Sequence, residues 1–173
     1  MEIYREEYIN WGDYFMASAL LSAQRSKDPR TQVGACIVNE FNHIVGMGYN
    51  GFPSGISDKQ LPWGKTDPNI LNRKSLYVCH AEMNAITNKH SANLYGCTMY
   101  VTNYPCNECA KLIIQSRIKS IFYLNHKKNS EKYLAAEKLF QMANIIVEQF
   151  VPVKKTICLN LEMEESQFNE IIL

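Results

Sequence analysis

A chain of 173 residues with 46% apolar content can bury one core of ordinary size. Its formal net charge of +1 argues against the strongly basic surface of a polynucleotide binder, while leaving room for a local patch that holds a phosphate. No run approaches the ~20 apolar residues that span a bilayer, and residues 1–13 lack the regions of a signal peptide, so a cytoplasmic protein without membrane attachment is expected.

Residues 14–24 carry Phe15, Met16, Ala19, Leu20 and Ala23 at helical spacing, with Asp13 as the expected N-cap. Two short apolar runs, 33–39 and 43–49, flank Glu40, Phe41 and Asn42 and predict a strand hairpin. Residues 51–72 are rich in Gly, Pro, Ser, Asp and Asn, and a loop of that length is usually functional. A helix is expected from about His80 to Asn88, a strand over 97–102 and a helix over 107–116. The last third predicts a strand over 118–124, a helix over 131–143 and a strand over 144–150. That spacing favours a parallel pair joined by a right-handed crossover. The sum is a single α/β domain over 1–173, its core at about 11–152, with a mixed sheet of about five strands and helices on both faces. Residues 160–173 form an acidic tail with little pattern.

Six cysteines lie at positions 36, 79, 97, 106, 109 and 158. Nothing signals secretion, so three disulfides are not expected. Cys36, Cys79, Cys97 and Cys158 lie in or beside apolar runs and read as small buried hydrophobes. Cys106 and Cys109 are different. Alone, such a pair fits a structural zinc or a redox couple, and His80 alone fits a core or surface histidine. Together the three form the nitrogen and sulfur set of a catalytic zinc, which keeps three protein ligands and one open position. Three residues apart on a helix, the cysteines share a face. Pro105 suits the first turn, and the helix dipole favours thiolates there. Glu82 stands two residues after His80, able to move protons for an activated water without binding the metal, a contribution typically worth ~10²–10⁴-fold. His43, His90 and His126 read as surface residues. The H-x-E and P-C-x-x-C halves together are the established signature of zinc deaminases.

The surroundings of these motifs, from about Trp11 to Pro152, resemble the animal type of deoxycytidylate deaminase. The similarity rests on residues 14–35 (YFMASALLSAQRSKDPRTQVGA), 48–51 (GYNG), Leu61-Pro62-Trp63, 78–86 (VCHAEMNAI) and 99–114. It implies a three-layer α/β/α cytidine-deaminase-like fold and a cytosolic homo-hexamer converting dCMP to dUMP, activated by dCTP and inhibited by dTTP. By the resemblance His80, Cys106 and Cys109 bind zinc, Glu82 shuttles the proton, and the Ala81 N–H meets the pyrimidine carbonyl. Asn50 is the candidate for the sugar hydroxyl, although Asn50-Gly51 also fits a plain turn. Arg25, Lys27 and Asp28, with Gly51 and Gly55, resemble the segments that hold a regulatory nucleotide, where Asp28 could help hold Mg2+ on a triphosphate. They also fit an ordinary polar helix end before Pro29.

The substrate phosphate is left to any of Lys65, Arg73, Lys74 and Lys127. Residues 52–78 hold no Cys or His, so one zinc per chain is expected. Arg117 departs from the family, which often has Gly or a small residue there. The rival readings are deamination of free cytidine, guanine or a tRNA adenosine on the same scaffold, and a zinc-stabilised nucleotide sensor without activity. The modest charge weighs against tRNA, and Glu82 against the sensor.

Overall fold

The computed structural model describes residues 4–126 and 130–161. Lys127 and nearly all of the acidic tail therefore lie outside the described residues. The chain runs through α1 (Trp11–Ala23), β1 (Gly34–Val38), β2 (Ile44–Tyr49), α2 (Ala81–Thr87), β3 (Thr98–Asn103), α3 (Asn107–Gln115), β4 (Ser120–Asn125), α4 (Glu131–Met142) and β5 (Ile146–Gln149). The strands form one sheet in the order β2-β1-β3-β4-β5. β1 is antiparallel to both β2 and β3, while β3, β4 and β5 run parallel. The expected hairpin, crossover and five-strand mixed sheet are all present.

Side chains alternate across β1, so Ala35 and Ile37 join one core, and Cys36 and Val38 the other. The first core takes Ala85 of α2, Ile113 of α3 and Phe140 of α4; the second takes Phe15, Met16 and Ala19 of α1. Both faces of the sheet are thus covered, giving the three-layer α/β/α arrangement. Full burial of a side chain such as Phe15 or Phe140 is worth about 2 kcal/mol. Two glycines set the spacing between layers. A Cβ on Gly34 would meet the Ala19 carbonyl at 1.9 Å, and one on Gly48 the Ala81 carbonyl and the Ala85 amide at 2.3 Å. The helices lie directly on the strand backbone at these points.

Several expectations need correction. The N-cap of α1 is Asn10, whose Oδ1 accepts from the Asp13 amide at 2.8 Å. Asp13 is buried in the first turn, where its carboxylate accepts from the amides of Val153 (3.1 Å) and Lys154 (2.8 Å). It also accepts from Asn10 Nδ2 (2.8 Å), so it joins the cap residue to the C-terminal segment. Pro105 precedes Cys106, the N-cap of α3, and so stands outside the helix. Cys36 and Cys97 are buried, but Cys79 is only half-buried and Cys158 is exposed. His43 and His90 are exposed, whereas His126 is half-buried and stacks on Tyr104 with ring centroids 4.2 Å apart.

Arg117 has φ 58°. It ends α3 in a left-handed turn, with Arg117 N–H bonded to Ile114 O (2.9 Å) and Ile118 N–H to Ile113 O (3.3 Å). Asn144 closes α4 in the same way at φ 54°. A glycine suits either position, which gives a backbone reason for Gly where this chain has Arg117. Among the described residues no helix is long and apolar enough to cross a membrane.

Candidate metal centre and active-site cleft

The three zinc-type donors come together at the N-termini of two helices. His80 is the N-cap of α2 and Cys106 the N-cap of α3, both in extended backbone and neither capping its helix with its side chain. Those side chains are left for another partner. Cys109 stands in the first turn of α3, three residues after the cap. The cysteines thus share a site as cap and first-turn residue, not as two positions within a regular helix. Upstream, Cys79 and Gly51 exchange backbone hydrogen bonds (2.8 and 3.1 Å), pinning the chain just before His80.

His80 Nδ1 lies 3.5 Å from Cys106 Sγ and 3.3 Å from Cys109 Sγ. All three donor atoms fall within 4.8 Å of one another. Tetrahedral zinc with Zn–S of ~2.3 Å and Zn–N of ~2.05 Å requires an S···N separation of about 3.6 Å. The donor set and its spacing fit that ion. Without metal charge among these groups, the Cys109 hydrogen bond holds the Cys106 thiol down at about 3, with His80 adding to the effect against burial. Cys109 is pushed far up by the same hydrogen bond and by burial. His80 is raised, chiefly by its hydrogen bond to Cys106. A thiolate sharing a proton with a second thiol beside an imidazole is a set from which a divalent cation would displace that proton.

Glu82, in the first turn of α2, is 4% exposed, and burial raises its carboxyl above the ordinary value. A carboxyl with that proton affinity can take a proton from water and give it up again. It opens on a cleft of ≈ 720 Å³ shared with His80, Ala81 and Cys106. Asn103, Tyr104, Tyr133, Asn50, Thr31 and Val33 also line it. Arg30, Lys65, Arg73, Lys74 and Lys132 make its lining strongly cationic despite the near-neutral chain.

Of the residues singled out in the sequence, the cleft gathers His80, Ala81, Glu82, Cys106, Asn50, Asp28, Lys65, Arg73 and Lys74. Cys109 lies beneath them at 2% exposure. Arg25, Lys27 and Gly55 are exposed and do not line it; Lys27 pairs with Asp58, and Gly55 turns at φ 88°. Asp28 is buried in the cleft wall, both carboxylate oxygens already hydrogen-bonded. Sequence reasoning missed Asn103 and Tyr104, although both directly precede Pro105 and the motif. It also missed Arg30, Lys132 and Tyr133. The last two are brought in by the crossover to α4 and carry no local signal.

A model of the cytidine and deoxycytidylate deaminase zinc-binding region matches residues 9–125. The deoxycytidylate deaminase of Pongo abelii is 53% identical over 164 residues, covering 94% of this chain and 92% of that protein. The probable deoxycytidylate deaminase of Drosophila melanogaster is 48% identical over 166 residues, covering 91% and 81%. The crystal structure of dCMP deaminase from cyanophage S-TIM5 in complex with dCMP and dUMP superposes with a TM-score of 0.64 at 30% identity, covering 79% of this chain and 94% of that one. The matched region contains His80, Glu82, Cys106 and Cys109, and the chain belongs to the cytidine and deoxycytidylate deaminase family, in its animal deoxycytidylate deaminase group.

Proposed function

We propose that this protein hydrolyses dCMP to dUMP and ammonia. The observation that carries the reading is the union, in one cleft, of a fitted zinc ligand set, a buried carboxyl and a cationic lining. The dCMP and dUMP held by the cyanophage relative support the choice of nucleotide. Zinc held by His80, Cys106 and Cys109 supplies Lewis acidity that brings the pKa of water towards ~7.

The chain's own groups then do the rest. Glu82 accepts one proton from the attacking water and delivers it to the ring nitrogen, then takes the second from the hydroxyl this forms on the carbon and passes it to the departing amine as the carbonyl closes. One water is consumed, the C–N bond to the exocyclic amine breaks, and ammonia leaves. The Ala81 amide, at the start of α2, belongs to the unpaired first turn of the helix and donates to the pyrimidine carbonyl. Asn50 meets the single free hydroxyl of the deoxyribose. Lys65 and Arg73 lie in the cleft lining and are assigned to the 5′-phosphate. Burial of Glu82 keeps bulk water from competing for its proton.

The wider proposal is a cytoplasmic homo-hexamer that supplies dUMP for thymidylate synthesis, activated by dCTP and inhibited by dTTP. Arg25, Lys27, Gly51 and Gly55 form the proposed regulatory loops, with Mg2+ on the triphosphate; Asp28, also expected there, is buried with both carboxylate oxygens already hydrogen-bonded and is left out. Ammonia release from dCMP, CMP and cytidine, with and without dCTP and magnesium, tests it. Selective turnover of dCMP that becomes less sigmoidal with dCTP is the expected result. Preference for cytidine would overturn the substrate and leave the chemistry standing.

A further inference from the structure

Among the residues lining the cleft is a closed polar network. Asp28, 3% exposed, accepts through Oδ1 from the amides of Arg30 (2.9 Å) and Thr31 (3.2 Å). Its Oδ2 accepts from Asn50 Nδ2 (3.3 Å) and from the Lys74 ammonium. Asn50, 6% exposed, donates its second amide hydrogen to the Thr31 carbonyl (3.0 Å), and its Oδ1 accepts from the Val33 amide (2.8 Å). The Lys74 amide also donates to the Gly64 carbonyl at 2.8 Å, so the network joins the α1–β1 connection to separate parts of the β2–α2 connection.

The network dictates what Asn50 can offer to a ligand. Both of its amide hydrogens are committed, so the second lone pair on Oδ1 is what remains. Asn50 is therefore an acceptor towards the cleft, and a sugar hydroxyl meeting it must donate. That orientation depends on Asp28 being an ionised acceptor. Burial alone would favour a protonated carboxyl, which could donate its O–H and compete for the Asn50 orientation. The Lys74 hydrogen bond, helped by the two amides, outweighs burial and holds Asp28 below its ordinary 3.8. Lys74 is itself 14% exposed at the side chain and its charge is offset by Asp28, which makes it a poor partner for a phosphate.

We propose that Lys74 is a positioning residue that, through Asp28, locks the Asn50 carboxamide as acceptor for the 3′-hydroxyl of the deoxyribose. The proposal rests on the dCMP reading. It gives the connection between β2 and α2 a definite role, because a lysine near its end orients a binding group at its start. The selectivity it supports is for the sugar, separate from the zinc chemistry and from phosphate recognition.

The test assays zinc-loaded wild type, Lys74→Met, Lys74→Arg and the double variant Asp28→Asn/Lys74→Met. Three substrates are compared: dCMP, 2′,3′-dideoxy-CMP, which lacks the hydroxyl, and deoxycytidine, which lacks the phosphate. Lys74→Met is expected to raise KM for dCMP about tenfold, the scale of one hydrogen bond, with a smaller change in kcat. The loss in kcat/KM should persist with deoxycytidine and vanish with dideoxy-CMP, and Lys74→Arg should restore most of it. An equal loss on dCMP and dideoxy-CMP would overturn the proposal in favour of a merely structural lysine. A loss that disappears only with deoxycytidine would overturn it in favour of direct phosphate contact. Should Lys74→Met fold poorly, the double variant carries no unpaired charge and must show the same hydroxyl-dependent loss; wild-type kinetics there would also refute the proposal. A wild type inactive on dCMP refutes the dCMP reading itself, an outcome read separately from an active wild type whose variants behave alike.

Discussion

Some groups at the cleft sit at the N-cap and first turn of α2 and α3; others sit on the connections between α1 and β1 and between β2 and α2. His80, Glu82, Cys106 and Cys109 are held by helices packed on the sheet, with Gly48 allowing α2 to touch β2. Asn50, Asp28 and Lys74 are held by one another. In the proposed function that difference separates chemistry from recognition. Groups that must meet a metal within tenths of an ångström stand on elements that cannot shift without disrupting the core. Groups that select a ligand stand on loops whose geometry is set by polar side chains, and so can change without disturbing the core.

Displacing the helix-borne groups should have the largest effect. In Gly48→Ala the new Cβ would meet backbone atoms of Ala81 and Ala85 at 2.3 Å, so α2 must move and carry His80 and Glu82 with it. A displacement near 1 Å predicts a fall in kcat of about 10²-fold, read alongside zinc content. The loop-borne groups should instead show themselves through pH. Asp28 has a folded pKa below its ordinary 3.8. A depressed carboxyl contributes stability that is complete above the unfolded value and is lost as pH falls through the folded one. Denaturation midpoints of wild type should therefore decline more steeply below pH 3.8 than those of Asp28→Asn/Lys74→Met. The smallest effect belongs to the far end of α3. Arg117→Gly relieves a left-handed residue at φ 58° and should stabilise the fold by about 1 kcal/mol in chemical denaturation, leaving KM for dCMP where it was.

The same contrast governs what could be read from the sequence. His80, Glu82, Cys106 and Cys109 were legible because ligand chemistry fixes residue type and helical starts fix spacing, so the signal is local. The hairpin, the crossover and both cores followed from apolar runs of the right length. Asp13 was misread as a cap because two of its partners, Val153 and Lys154, lie about 140 positions away. Lys74 looked like one of several phosphate candidates, since its pairing with Asp28 spans 46 positions and two loops. Lys132 and Tyr133 reach the cleft only through the turn of α4 back onto the sheet. Polar contacts between distant loops leave no periodicity to find.

Everything proposed for the cleft depends on Glu82 acting as the acid–base group of a zinc deaminase centre built by His80, Cys106 and Cys109. The decisive experiment follows ammonia release from dCMP by Glu82→Gln, with bound zinc counted in the same preparation. One zinc per chain is expected in both proteins, together with a loss of about 10²–10⁴-fold in kcat. Turnover of dCMP by Glu82→Gln within a few-fold of wild type, zinc retained, would show that the proton moves by another route and that Glu82 is not that group.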